Sequence, residues 1–242
     1  MPILTVEKLC KAFGGLKAIN NLDFYVDEGE ILGIIGPNGS GKTTVLNLLT
    51  GFLKPNTGKI TFRGEDITGL PRYEICQKGI ARTFQLCKPF LDFTSLQNVM
   101  VGRVYGQEPC ENMKVAAFES EEILDKVGLL SKAEIMVKDL TVMERKRLEL
   151  ARALATKPAM LLLDELMAGL NLAEADDACQ LISSIRDSKI TIIMVEHIVK
   201  AVTCISNRII VLNMGEKIAE GTPEEIVHHP KVIEVYLGKS HA

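Results

Sequence analysis

Eight consecutive residues, Gly36-Pro37-Asn38-Gly39-Ser40-Gly41-Lys42-Thr43, fit the pattern G-x-x-x-x-G-K-[ST]. Glycines at its fixed positions let main-chain N–H groups close on a pyrophosphate, and a helix N-terminus beyond them adds partial positive charge. Lys42 can then reach β- and γ-phosphates, and Thr43 can offer its hydroxyl to Mg²⁺. A second stretch, Met160 to Glu165, is an apolar run ending in two adjacent carboxylates. Asp164 would face the cation and Glu165 would polarise a water, the division of labour found in phosphoryl-transfer sites. His197, just past another apolar run, is a candidate contact for a γ-phosphate or the attacking water. Each has a plainer reading: a glycine-rich turn, a solvated strand end, a packed or capping histidine.

These residues need elements to hold them. Glu30 to Ile35 reads as a buried strand and Thr43 to Thr50 as a helix, with Val45, Leu46, Leu48 and Leu49 at helical spacing before Gly51. Ile3 to Phe13 and Ile19 to Val26 read as an antiparallel pair joined at Gly14-Gly15, and Lys59 to Phe62 as a further short strand. Pro71 suits the first position of a helix ending at Gly79, and Ile80 to Phe84 is a β-rich run that delivers Gln85. From Lys88 to Lys138 the pattern is helical: Thr94 caps a helix through Val101, Gly106 to Asn112 is loop-like, and Glu119 to Val127 is a second helix closed by Gly128. Alternation then resumes, with helices over Met143 to Ala155, Ala173 to Asp187 and beyond His197, and strands over Met160 to Leu163 and Ile190 to Val195. Strands over Arg208 to Asn213 and Lys217 to Glu220 and a helical tail from Thr222 complete the chain. That alternation predicts a mostly parallel sheet covered on both faces.

At 242 residues the chain can bury a full core. Its net charge of −3 and lack of a long basic cluster argue against nucleic acid as a partner. Six scattered cysteines, with no C-x-x-C pair, suggest free thiols in the cytoplasm. With no apolar run of the roughly 18 residues a membrane span needs, any membrane link must come through a partner.

The order of motifs resembles the nucleotide-binding subunits of ABC transporters over essentially the whole chain. The resemblance implies an α/β fold, a P-loop NTPase core of ABC-ATPase type with an antiparallel β subdomain and an inserted helical subdomain. Residues 1–87 and 139–242 would form the core, and 88–138 most of the helical subdomain, which extends into the signature helix. It implies ATP and Mg²⁺ as cofactors. Phe13 would stack on adenine, and Gly36, Pro37, Asn38, Gly39, Ser40, Gly41, Lys42, Thr43 and Thr44 would hold the phosphates. Thr43, Gln85 and Asp164 would serve the metal, and Glu165, His197 and Gln85 the chemistry. Ala168-Gly169-Leu170-Asn171 looks like the loop that meets a second ATPase subunit. The partners implied are that second subunit and integral membrane permease subunits, with the chain peripheral on the cytoplasmic face. Pro89, Phe90 and Phe93 are candidates to receive a short permease helix.

Within the family, Phe13-Gly14-Gly15-Leu16, Gly79-Ile80-Ala81-Arg82-Thr83-Phe84-Gln85, Ala168-Gly169-Leu170-Asn171 and Val235-Tyr236-Leu237-Gly238 look like branched-chain amino acid importers. Urea/amide importers and the lipopolysaccharide-export ATPase share several of these features. Two positions depart from the pattern. The signature, usually Leu-Ser-Gly-Gly-Gln, is Leu140-Thr141-Val142-Met143-Glu144 here, and Leu166 stands where a proline normally follows the catalytic glutamate. Thr141 and Glu144 still form a capping box, so the helix should start normally while its anion site suffers. A weakened signature implies an unlike partner subunit with an intact one. Three classes stay open: a permease-coupled ATPase, a weakly hydrolysing nucleotide-binding subunit, and a soluble non-transport ABC protein.

Overall fold

The computed structural model describes residues 2–85, 88–196 and 199–237. In chain order its strands and helices are β1 (Pro2–Phe13), β2 (Leu16–Asp27), β3 (Ile31–Ile35), α1 (Lys42–Leu49), β4 (Thr57–Phe62), β5 (Glu65–Asp66), α2 (Arg72–Gln77) and β6 (Ile80–Arg82). There follow α3 (Ser95–Tyr105), α4 (Met113–Lys126), α5 (Val142–Ala155), β7 (Met160–Asp164), α6 (Leu172–Asp187), β8 (Thr191–Val195), α7 (Val199–Ile205), β9 (Arg208–Asn213), β10 (Glu216–Gly221), α8 (Pro223–Val227) and α9 (Pro230–Leu237). They fall into two compact units, one comprising residues 1–72 and 167–242, the other 73–166.

The first unit holds an antiparallel sheet in the order β2-β1-β4-β5. Along β1 and β2, buried Leu4, Val6 and Leu9 and buried Ile19, Leu22, Phe24 and Val26 alternate with exposed positions, the period of a sheet with one apolar face. The same unit holds β3 between β8 and β9, parallel to both, with β10 antiparallel on β9. All five residues of β3 and of β8 are buried, as near-continuous apolar runs in parallel sheets require. Burying each Ile, Leu, Val or Met side chain among them contributes about 1.5–3 kcal/mol. An ion-pair group closes one end of β9: the Arg208 guanidinium meets Glu30 at 2.9 Å and Glu220, and lies 4.2 Å from the Tyr25 ring centroid.

The second unit packs α3, α4 and α5 together and carries the parallel pair β6–β7. Thr94 caps α3 in a capping box with Gln97, as its sequence predicts. That helix runs on to Tyr105, past the expected end at Val101. Gly102 does not stop it, because a Cβ there would fall 2.5 Å from the Arg152 carbonyl: the glycine serves close approach of α3 to α5. Helix α4 starts at Met113, six residues before the expected Glu119, since Asn112 Oδ1 accepts from the Lys114 and Val115 amides. Exposed Met113, Val115 and Phe118 blur its apolar period. Strand β6 ends at Arg82, short of the expected Phe84, because the Phe84 N–H is taken by a side chain, Glu149. No helix among the described residues is long and apolar enough to cross a membrane.

Candidate functional site

In the first unit the glycine loop connects β3 to α1. Space, as well as flexibility, demands its glycines. A Cβ on Gly36 would lie 2.2 Å from the Leu212 carbonyl oxygen, and one on Gly41, at φ 107°, 2.7 Å from that of Ala18. Helix α1 starts at Gly41 with no side-chain cap and no acidic residue in its first turn, so its leading N–H groups stay available to an anion. Lys42 is buried, its Nζ donating to the Gly36 and Pro37 carbonyls at 2.8 and 3.0 Å, which sets the ammonium inside the loop's curve. Thr43 is exposed and Thr44 half-buried in the same turn. Ser40 Oγ is buried with no hydrogen-bond partner among the described residues. From behind, the Gly215 N–H between β9 and β10 donates to the Ser40 carbonyl at 3.0 Å. Phe13 is 47% exposed with the Lys11 ammonium 5.3 Å from its ring centroid, so it is a surface ring free to stack and no core residue.

In the second unit, β7 ends in Asp164 and Glu165. Asp164 Oδ2 accepts from Arg82 Nη2 at 2.6 Å, with the two side chains 3% and 5% exposed, and the Asp164 N–H donates to Thr83 Oγ1 at 3.2 Å. Asp164 Oδ1 is buried without a partner among the described residues. Glu165 leaves the strand at φ 50°, and its Oε2 accepts from Gln85 Nε2 at 2.7 Å. Gln85, 80 positions before Glu165, thus stands beside the end of β7, while His197 lies outside the described residues.

At the signature position, Thr141 caps α5 and exchanges bonds with Glu144: the Thr141 N–H donates to Glu144 Oε2 at 2.8 Å and the Glu144 N–H to Thr141 Oγ1 at 3.2 Å. That bond from the Thr141 amide holds the Glu144 carboxyl below the usual carboxylate range, with Lys132 adding to it. The glutamate is folded back on the cap. Val142 is 72% exposed at the helix start. In the loop Ala168-Gly169-Leu170-Asn171, Gly169 sits at φ 80° and Asn171 caps α6 in a box with Glu174. Leu166, in the proline position, gives its carbonyl to Lys146 Nζ at 3.4 Å.

The motif reading passed over Arg82, Glu149 and Arg152. Arg82 lies within the Arg-Thr-Phe-Gln stretch, but its pairing with Asp164 spans 82 residues. Glu149 left one signal, a carboxylate between Leu148 and Leu150 on a helix's apolar side.

A glycine loop between a parallel strand and a helix, with a buried carboxylate at the end of another strand, defines a P-loop nucleotide-binding cassette. Residues 19–168 match the ABC transporter family, and 216–242 match a second one described as branched-chain amino acid ATP-binding cassette transporter. The chain belongs to the ABC transporter family, as an ATP-binding subunit, and its enzymatic activity is ATP hydrolysis. It is 40% identical to the high-affinity branched-chain amino acid transport ATP-binding protein BraF of Pseudomonas aeruginosa, with 99% of each chain covered. It is 41% identical to the corresponding LivG protein of Salmonella typhimurium, again over 99% of each. An ATP-binding cassette of an ABC transporter solved in its ADP conformation superposes with a TM-score of 0.89, at 32% identity over 99% of this chain and 100% of that one.

Proposed function

We propose that this chain energises the import of branched-chain amino acids through a membrane permease, as a peripheral subunit on the cytoplasmic face paired with a second, unlike ATPase subunit. The relatives named for branched-chain amino acid transport support the cargo, as does the family match over residues 216–242. Residues 1–87 and 139–242 then serve as the nucleotide-binding core and 88–138 as most of the helical subdomain, which extends into the signature helix α5. Half-exposed Phe90 and Phe93, with ring centroids 5.4 Å apart, offer the permease an apolar contact.

The observation that carries the chemistry is the unlike surroundings of two adjacent carboxylates. A buried carboxylate oxygen without a donor is costly; Asp164 Oδ1 has none among the described residues, and a cation ligand would explain its retention. Asp164 and Gln85 would hold Mg²⁺, which when bound would neutralise phosphate charge, and Thr43 is the glycine loop's own candidate for the metal. Lys42 and the first turn of α1 hold the phosphate oxygens, and Phe13 stacks on the base. Glu165, aimed by Gln85, polarises the attacking water, with His197 as a further contact.

The test is purification of the tagged chain with its native membrane partners, followed by reconstitution into vesicles and measurement of ATP-driven uptake of leucine, isoleucine and valine. Uptake of all three that stops without ATP is expected. An assembly that moves none of them while transporting a different solute would refute the cargo assignment.

A further inference from the structure

We propose that α5 grips the segment carrying Gln85 at two points, through Glu149 and Arg152, and that these two side chains are positioning residues for hydrolysis; the proposal rests on the reading of Gln85 and Glu165 given above. Glu149 is 7% exposed between fully buried Leu148 and Leu150, where an ionised group is costly unless it is bonded. Its Oε1 accepts the Phe84 N–H at 2.8 Å, one residue before Gln85. Arg152 follows on the same face of the helix. Its Nη1 donates to the Lys88 carbonyl at 3.2 Å, and its guanidinium lies 5.1 Å from the Phe90 ring centroid. A carboxylate therefore takes a main-chain N–H before Gln85, and a guanidinium takes a main-chain carbonyl after it. Each charge matches the group it meets.

The consequence is a direct line from helix to water-polarising group. Gln85 donates to Glu165 at 2.7 Å, so a shift of α5 that drags the Phe84 main chain moves the Gln85 amide off the carboxylate. The same helix begins at the Thr141–Glu144 cap, which ties the signature position to Glu165 through main chain and two side chains.

The test uses the full-length chain in the assembly with which it copurifies. Glu149→Leu should lower kcat roughly tenfold to a hundredfold, the cost of displacing a catalytic group by about an ångström, with KM for ATP unchanged. Glu149→Gln should stay near the wild-type rate, because its amide oxygen still accepts from Phe84. The Glu149→Leu, Gln85→Ala double variant should be no slower than Gln85→Ala alone, since groups acting in series are not additive. Hydrogen exchange at the Phe84 amide should speed up in Glu149→Leu only. Additive losses, or unchanged Phe84 exchange, would overturn the grip while leaving the roles of Gln85 and Glu165 standing. A Gln85→Ala variant at the wild-type rate would instead remove the reading underneath, and the proposal with it. Should Glu149→Leu fail to fold, Arg152→Met, with Arg152→Lys as its conservative partner, runs the same kinetic cycle against Gln85→Ala: a non-additive loss of kcat is expected, and additive losses would overturn the grip.

Discussion

In the proposed function Lys42 binds phosphate and Glu165 polarises water, so their variants should separate binding from chemistry. Lys42→Ala removes the ammonium that the Gly36 and Pro37 carbonyls hold within the loop, so tight Mg-ATP binding should be lost with the fold intact. Calorimetric titration with ATP checks it, and unchanged affinity would reject the site. Glu165→Gln keeps shape and removes the group that polarises water. ATP should still bind, turnover should fall by at least the roughly hundredfold typical of a general base, and an ATP-bound dimer should accumulate. Hydrolysis at the wild-type rate would move the base elsewhere, most directly to His197. Gly215 belongs here too. A Cβ there would fall 2.6 Å from the Ala18 carbonyl at φ 82°, and its N–H supports Ser40 from behind. Gly215→Ala should therefore weaken nucleotide binding more than it lowers melting temperature, read by comparing Kd with a thermal melt; a loss of stability alone would make the turn a mere fold element.

Among the elements, α5 depends most on a local device. Thr141→Ala removes its cap and should cost about 1 kcal/mol in chemical unfolding. Glu144 adds a pH dependence whose sign is set. Its carboxyl is held below the usual range, chiefly by the Thr141 amide, so its contribution is present above the ordinary glutamate value, about 4.3, and is lost as pH falls through its lower folded value. Glu144→Gln cannot titrate. The stability gap between wild type and Glu144→Gln, measured by melts from pH 7 to pH 3, should be constant near neutrality and close in acid. A gap that does not change with pH would show that the carboxylate form contributes nothing. Most elements were legible beforehand for the same local reasons: caps at Thr94 and Thr141, apolar runs at β3, β7 and β8, and glycine stops. The two misplaced helix bounds, at Tyr105 and Met113, arose where packing gave a glycine a new role and where an asparagine cap preceded exposed apolar residues.

For the assembled protein the question is what completes its nucleotide site. The start of α5 offers exposed Val142, then Met143, where glycines would let N–H groups approach a phosphate, while Glu144 is folded back on Thr141 and removed from direct opposition. The obstacle is therefore mainly steric. In a pair of identical chains both composite sites would carry it, whereas an unlike partner would bring an intact signature. ATP hydrolysis by the isolated chain should be slow and should rise in the Val142→Gly, Met143→Gly double variant. Equal rates would end the argument for an unlike partner.

The phosphate loop was readable from residues 36–43 because its chemistry is made of contiguous main chain, and main-chain geometry follows from where the glycines fall. Asp164 and Glu165 were readable because an apolar strand announces its own polar end. What needed the folded chain was every contact between distant segments: Arg82 holding one oxygen of Asp164 and leaving the other bare, Gln85 against Glu165, and Glu149 and Arg152 on either side of Gln85. A charged residue in a helix carries no local mark of its partner. Whether it is solvated or buried against main chain depends on packing between segments 64 to 82 positions apart, which periodicity and propensity do not encode.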